Sequence, residues 1–364
     1  MKKTALAIAI LALSHVATSA QSLKPGFDRD EYIECLCMTS HMDSLSVDTK
    51  YMSPEPTKFK KVYVAKKTGF DNSWELWDNG KGVCAVLLRA TVSTMRSWGA
   101  NFNAGMVRAV GTCYVGQEKS YDLCADSTAC VHSGWVAGLM TMADDIKSKM
   151  DSCYKSGCRD FIICGHSQGG ALSYLATAMV RRMQANGQMP KDFRVKTYAS
   201  AAPKPGDYVF AMNYEAMTRG WSITVVNADD WVPETPLSVQ RPTDFRPTNP
   251  FAQMDDLTAN MGTLQKARIG FLYNKINKPT SKSVKNLTKY LGNVMGEMLE
   301  DANDWFERPD YADCANYARC GQTYVLMPDA EYHAKHPLKA TDAFEHHQYI
   351  SYYELALKID PTAE

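Results

Sequence analysis

The sequence has no surplus of either charge: 40 Lys and Arg stand against 40 Asp and Glu. It also lacks a long basic run, an internal repeat and any low-complexity tract. Balanced charge argues against nucleic acid as a partner, because phosphate binding needs a basic face. Long apolar stretches are missing beyond the N-terminus, so no membrane-spanning helix is expected and the mature chain reads as soluble. The N-terminus itself holds a different signal. In MKKTALAIAILALSHVATSAQS, Lys2 and Lys3 precede an apolar core from Ala5 to Leu13 and a small-residue site at Thr18-Ser19-Ala20. This is the pattern of a secretory signal of bacterial type, too short to span a bilayer. Residues 1–20 are set aside, and the mature protein is expected to be secreted or periplasmic.

Cysteine is not scarce, at eleven residues. Export permits disulfides. Cys124 with Cys130, Cys153 with Cys158, and Cys314 with Cys320 are each spaced to close a small loop, although spacing does not give connectivity. Cys84 and Cys164 lie inside apolar strand-like runs and read as buried thiols. Cys35, Cys37 and His41 form a metal-like grouping, but Cys-x-Cys is not the usual zinc spacing. No metal and no cofactor are expected.

With 364 residues, the chain suits one large domain with a sizeable insertion. Residues 21–60 read as a polar wrapping segment. VYVAKK (62–67) alternates, and WELWDNGKGVCAVLLRAT (74–91) places Asp78-Asn79-Gly80 between two β-rich runs, which predicts a hairpin. Helices are expected over 134–151 and 170–184, and strands at FIIC (161–164), 193–202 and 221–227. Alternating strands and helices predict an α/β fold with a largely parallel central sheet. Residues 237–315 break that rhythm and read as an insertion or cap within a single domain, 21–364. Within it, Leu287, Leu291, Met295 and Met298 predict an amphipathic helix over 283–306.

Chemistry enters at FIICGHSQGGALSYLATAMV (161–180). A serine is a weak nucleophile until a base takes its proton. In Gly165-His166-Ser167-Gln168-Gly169, a short apolar strand comes before and a helix rich in small residues comes after. This strand–turn–helix context lifts a serine clear of a sheet and aims a helix N-terminus at a developing oxyanion. Ser167 is therefore the candidate nucleophile, with His166 a neighbour in the turn and not the base. The partners should follow in the order Ser, acid, His. Asp229 and Asp230 come directly after the strand at 223–226, and either fits the acid. Of the four histidines further on, His333 and His336 lie in polar EYHAKHP and read as surface residues. His346 and His347 precede an aromatic run that predicts a final helix, and His347 is favoured with His346 close behind.

These segments together resemble the class 3 lipases, the family of fungal triacylglycerol lipases and their relatives. GHSQGGALSYLA is similar to that family's elbow. Asp230-Trp231-Val232-Pro233 resembles its Asp-x-Val-Pro acid motif, which selects Asp230 over Asp229. VHSGW (131–135) and VLLRATVSTMRSWGANF (86–102) resemble two further segments of the family, the latter a strand leading into a lid. Four motifs in order are far more specific than one. The resemblance implies an α/β-hydrolase fold with a helical insertion between Asp230 and the histidines. It implies Ser167, Asp230 and His347 or His346 as the catalytic group. It also implies Thr91 and the Gln168 N–H as the oxyanion hole, and residues 92–104 with Trp98 as the lid. Ala90 stands where the family has glycine, and Gln168 where it has leucine. The implied function is hydrolysis of acyl esters of lipids at a lipid–water interface. A phospholipase, a feruloyl-type esterase and a non-catalytic binding protein on the same fold are the alternatives.

Overall fold

Two unbroken apolar runs become neighbouring strands at the centre of the molecule. In the computed structural model, which describes residues 23–42, 48–252, 254, 258–338 and 342–360, Val83–Leu88 forms β3 and Asp160–His166 forms β8, paired in parallel. Successive side chains on a strand face opposite ways. Cys84, Val86, Leu88, Phe161 and Ile163 enter one core. Val83, Ala85, Leu87, Ile162 and Cys164 enter a second core on the other face. Strands buried on both faces have no polar side to present, so their sequences run continuously apolar. The signal segment expected at residues 1–20 lies outside the described residues.

Around this pair, β1 (Lys60–Val64) and β2 (Trp74–Asp78) come before β3, while β9 (Arg194–Ser200), β11 (Ser222–Asn227) and β13 (Gln322–Leu326) come after β8. The sheet order is β1-β2-β3-β8-β9-β11-β13. It is antiparallel through β1, β2 and β3, and parallel from β3 to β13. Short β4 (Met106–Arg108), β7 (Cys130–His132), β10 (Gly206–Asp207) and β12 (Tyr317–Ala318) form a small second sheet, and β5 (Val110–Tyr114) pairs with β6 (Glu118–Asp122). The first core packs α3 (Ser133–Lys155), α4 (Gln168–Ala185) and α5 (Tyr208–Thr218) on one face of the large sheet. The second packs α1 (Arg29–Ser40) and the helix Tyr349–Leu357 on the other. The result is an α/β-hydrolase fold with a mostly parallel central sheet. Among the described residues no helix is long and apolar enough to cross a membrane.

The expected hairpin forms as β2–β3. Asp78 and Asn79 side chains accept the N–H groups of Gly80 and Lys81, and Gly80 sits at φ 66°. Other expectations are corrected. The wrapping segment holds the helix α1, most of which is buried against the sheet. Strand β13 was not foreseen, because QTYVL is an edge strand exposed over most of its length. The helix expected from residue 283 starts at Thr263 and runs to Leu287, through Pro279. A π-turn at Thr288–Val294 and a short helix at Met295–Asp301 follow, and Met298 faces solvent. His336 is buried, not superficial, between the carboxylates of Glu345 and Glu354. The Cys130 thiol lies beside that of Cys314, and Cys84 meets both Cys153 and Cys158.

Candidate active site

At the C-terminal end of β8 the chain turns through Ser167 at φ 59° and ψ −127°, a conformation that L-residues avoid. The Ser167 N–H donates to the Ser200 carbonyl at 2.9 Å. The flanking glycines are forced by space. A Cβ on Gly169 would strike the Leu88 carbonyl of β3, and one on Gly165 would strike the backbone of Gly169. The strained serine thus stands half-buried at the head of α4, lining a cavity of about 470 Å³.

His347 lines the same cavity. Its Nδ1 lies 2.7 Å from Asp230 Oδ2. The Asp230 carboxylate has no exposed side-chain surface, and it also accepts from Tyr352 Oη–H at 2.7 Å and from Val232 N–H at 2.9 Å. An acceptor held there keeps the His347 proton on Nδ1 and leaves Nε2 as the basic nitrogen. His346 is placed differently. It points into the second core, with Nδ1 3.0 Å from Tyr332 Oη. Asp229 also turns away and contacts His333 Nε2 at 2.7 Å. The fold therefore brings Ser167, Asp230 and His347 together, and leaves His346 and Asp229 outside the cavity.

A buried chain of hydrogen bonds fixes the His347 backbone. His166 Nε2 lies 2.8 Å from the His347 carbonyl, which can only accept, so this nitrogen carries the proton. Nδ1 must then accept from Ser200 Oγ at 3.0 Å, and Ser200 accepts from Tyr32 Oη at 2.8 Å. Burial, together with the neighbouring His347, holds the His166 pKa well below its ordinary value, so the ring stays neutral. Tyr32 lies on α1, which explains why a wrapping segment is bound to the site.

The other side of the cavity has a hub that sequence reasoning missed. Asn101 Oδ1 accepts from Trp135 Nε1 at 2.9 Å and from Gln168 Nε2 at 2.8 Å. An indole N–H only donates, so this atom is oxygen and Asn101 Nδ2 faces Thr91 Oγ1 at 2.9 Å. Thr91 accepts there, which leaves its own O–H free to donate. His132 Nε2 contacts the Asn101 carbonyl at 3.1 Å and stacks on Trp135 at 3.6 Å between centroids. The expected lid is thus a short helix, α2 (Met95–Phe102), fastened from beneath. Ala90, Trp98, Phe102, Trp231, Leu291 and Phe344 make the cavity largely apolar.

Comparison with known proteins follows the same stretch. The family model Lipase (class 3) matches residues 85–240. Secreted mono- and diacylglycerol lipase 1 of Fusarium solani is 28% identical over 193 residues, which are 53% of this chain and 50% of that protein. Secreted mono- and diacylglycerol lipase 3 of Gibberella zeae is 30% identical over 103 residues, covering 28% of this chain and 29% of that protein. The chain thus spans half the length of the first relative and less of the second. The Rhizomucor miehei triacylglyceride lipase structure aligns over 57% of this chain and 74% of its own, at 16% identity and a TM-score of 0.41. Thr91, Ser167 and Asp230 fall inside the matched stretch and His347 outside it.

Proposed function

We propose that this protein hydrolyses carboxylic esters of lipids, of the acylglycerol type, through a Ser167 acyl-enzyme. The observation that carries the reading is the shared cavity of Ser167 and His347, with the buried Asp230 carboxylate 2.7 Å behind the imidazole. His347 Nε2 takes the Ser167 proton as Oγ attacks the ester carbonyl, and Asp230 steadies the imidazolium. The Thr91 O–H and the Gln168 N–H at the head of α4 receive the oxyanion. The ring then returns its proton to the departing alcohol, and water releases the acid by the same steps. The apolar walls suit an acyl chain, which gains from leaving water. Residues 237–315 act as a cap belonging to the same domain, since Leu237 and Leu291 line the cavity. Export through the segment 1–20 agrees with the secreted relatives.

Hydrolysis of a chain-length series of glycerol esters by the mature chain tests this reading. Ser167→Ala and His347→Gln should each lose about 10³-fold or more in kcat, while His346→Gln should keep most of it. Full activity in His347→Gln would overturn the assignment. Cleavage of phospholipids or feruloyl esters alone would move the substrate class without moving the residues.

A further inference from the structure

The helix Thr263–Leu287 has 25 residues, about 37 Å at 1.5 Å per residue, and a single buried side chain, Val284. Its outer surface is unusual for a helix facing water. Leu264, Phe271, Leu272 and Ile276 are 66%, 61%, 61% and 61% exposed. Among them stand Lys266, Arg268, Lys275, Lys278, Lys282 and Lys285, and no carboxylate lies between residues 263 and 296. The chain as a whole is neutral, so the rest of it is net acidic and this helix carries a local excess of positive charge.

We propose that this helix docks the protein on an anionic lipid surface. The inference deepens the acyl-ester reading, and rests on it only for the purpose that docking serves. Exposed apolar side chains of this size gain by entering an acyl layer. Lysine and arginine stems can lie along that layer while their charges reach anionic headgroups. The cation of Lys275 already sits 5.2 Å from the Phe271 ring. A polyanion such as nucleic acid would satisfy the cations but leave the four apolar side chains in water. The position of the helix matters as well. It runs into the π-turn whose Leu291 lines the cavity and whose carbonyl accepts from Gly105 N–H at 2.8 Å. Phe102, Trp231 and Leu237, at the cavity wall, are exposed too. Docking through the helix thus holds the cavity at the surface where its substrate lies.

The test is co-sedimentation of the full chain with vesicles of phosphatidylcholine alone or with phosphatidylglycerol added. The wild type should bind the anionic vesicles at least about tenfold more tightly, and high salt should remove the difference. Lys275→Gln, Lys278→Gln, Lys282→Gln and Lys285→Gln combined should abolish the preference, and Leu272→Ser with Ile276→Ser should weaken binding to both vesicles. Turnover of a soluble short-chain ester reports that each variant is folded and should not change. Equal binding to both vesicles, or binding to heparin with none to vesicles, would overturn the proposal. Anionic vesicle binding by a chain that cleaves no ester would leave the docking standing and remove the ester reading.

Discussion

Asn101→Ala tests the hub beneath the proposed oxyanion hole. The change removes three hydrogen bonds: one to Thr91 and one each from Gln168 and Trp135. Trp135 Nε1, on a side chain 2% exposed, then has no acceptor, and Gln168 Nε2 keeps only the Ser97 carbonyl at 3.4 Å. A buried donor left unpaired costs about 1–3 kcal/mol, so the pair should lower stability by roughly 2–4 kcal/mol. The kinetic effect has a separate origin. Without Asn101 Nδ2 the Thr91 hydroxyl is free to rotate, and its aim at the oxyanion is lost for part of the time. Losing one donor outright costs about 10²–10³ in turnover, so misaiming should cost roughly 10- to 100-fold in kcat with little change in KM. Thr91→Val supplies the control. In that background Asn101→Ala should cost little more, because both changes act through one donor. Ester hydrolysis by the four proteins of this cycle, with urea midpoints alongside, gives both quantities. Fully additive losses in kcat, or a loss confined to KM, would refute the reasoning.

Two further outcomes are expected. Burial pushes the His132 pKa down to about 3 and holds His166 well below its ordinary value, so the folded chain keeps both rings neutral. The unfolded chain protonates them below about pH 6.5, and stability should fall by about 1.4 kcal/mol per pH unit for each ring as pH drops from there. A urea midpoint unchanged between about pH 7 and pH 5 would contradict this. Gly169→Ala puts a methyl against the Leu88 carbonyl, where no flexible side chain can yield. It should cost about 3 kcal/mol or more and remove ester turnover, measured by thermal melting and hydrolysis; a stable, active variant would show that the elbow tolerates a Cβ.

Legibility in the sequence followed the distance over which each feature is encoded. The strained turn at 165–169 and the carboxylate at 230, proposed as the acid, are local: a few consecutive residues set the backbone and name the side chain. Adjacent His346 and His347 share every local cue, and only the packing of the final helix sends one ring to Asp230 and the other to Tyr332. Asn101 was invisible because its partners Thr91, Trp135 and Gln168 come from three separate segments. The start of the helix at Thr263 was hidden by Pro279, which lies inside it and ahead of the helical spacing read from residue 283. Even charge over the whole chain concealed the same helix's local excess. His336 looked superficial in a polar sequence, yet Glu345 and Glu354 supply what a buried imidazole needs.

A ribosome delivers Ser167 and Asp230 well before His347. Between Asp230 and His347 it must also make the cap and β13, the last strand of the sheet. On the proposed reading, a chain made only as far as Asp230 holds the serine without its base and is inert toward the producing cell's own lipids. On that reading activity arrives only once His347 has been made, so the order of Ser167, Asp230 and His347 along the chain itself acts as a safeguard during synthesis.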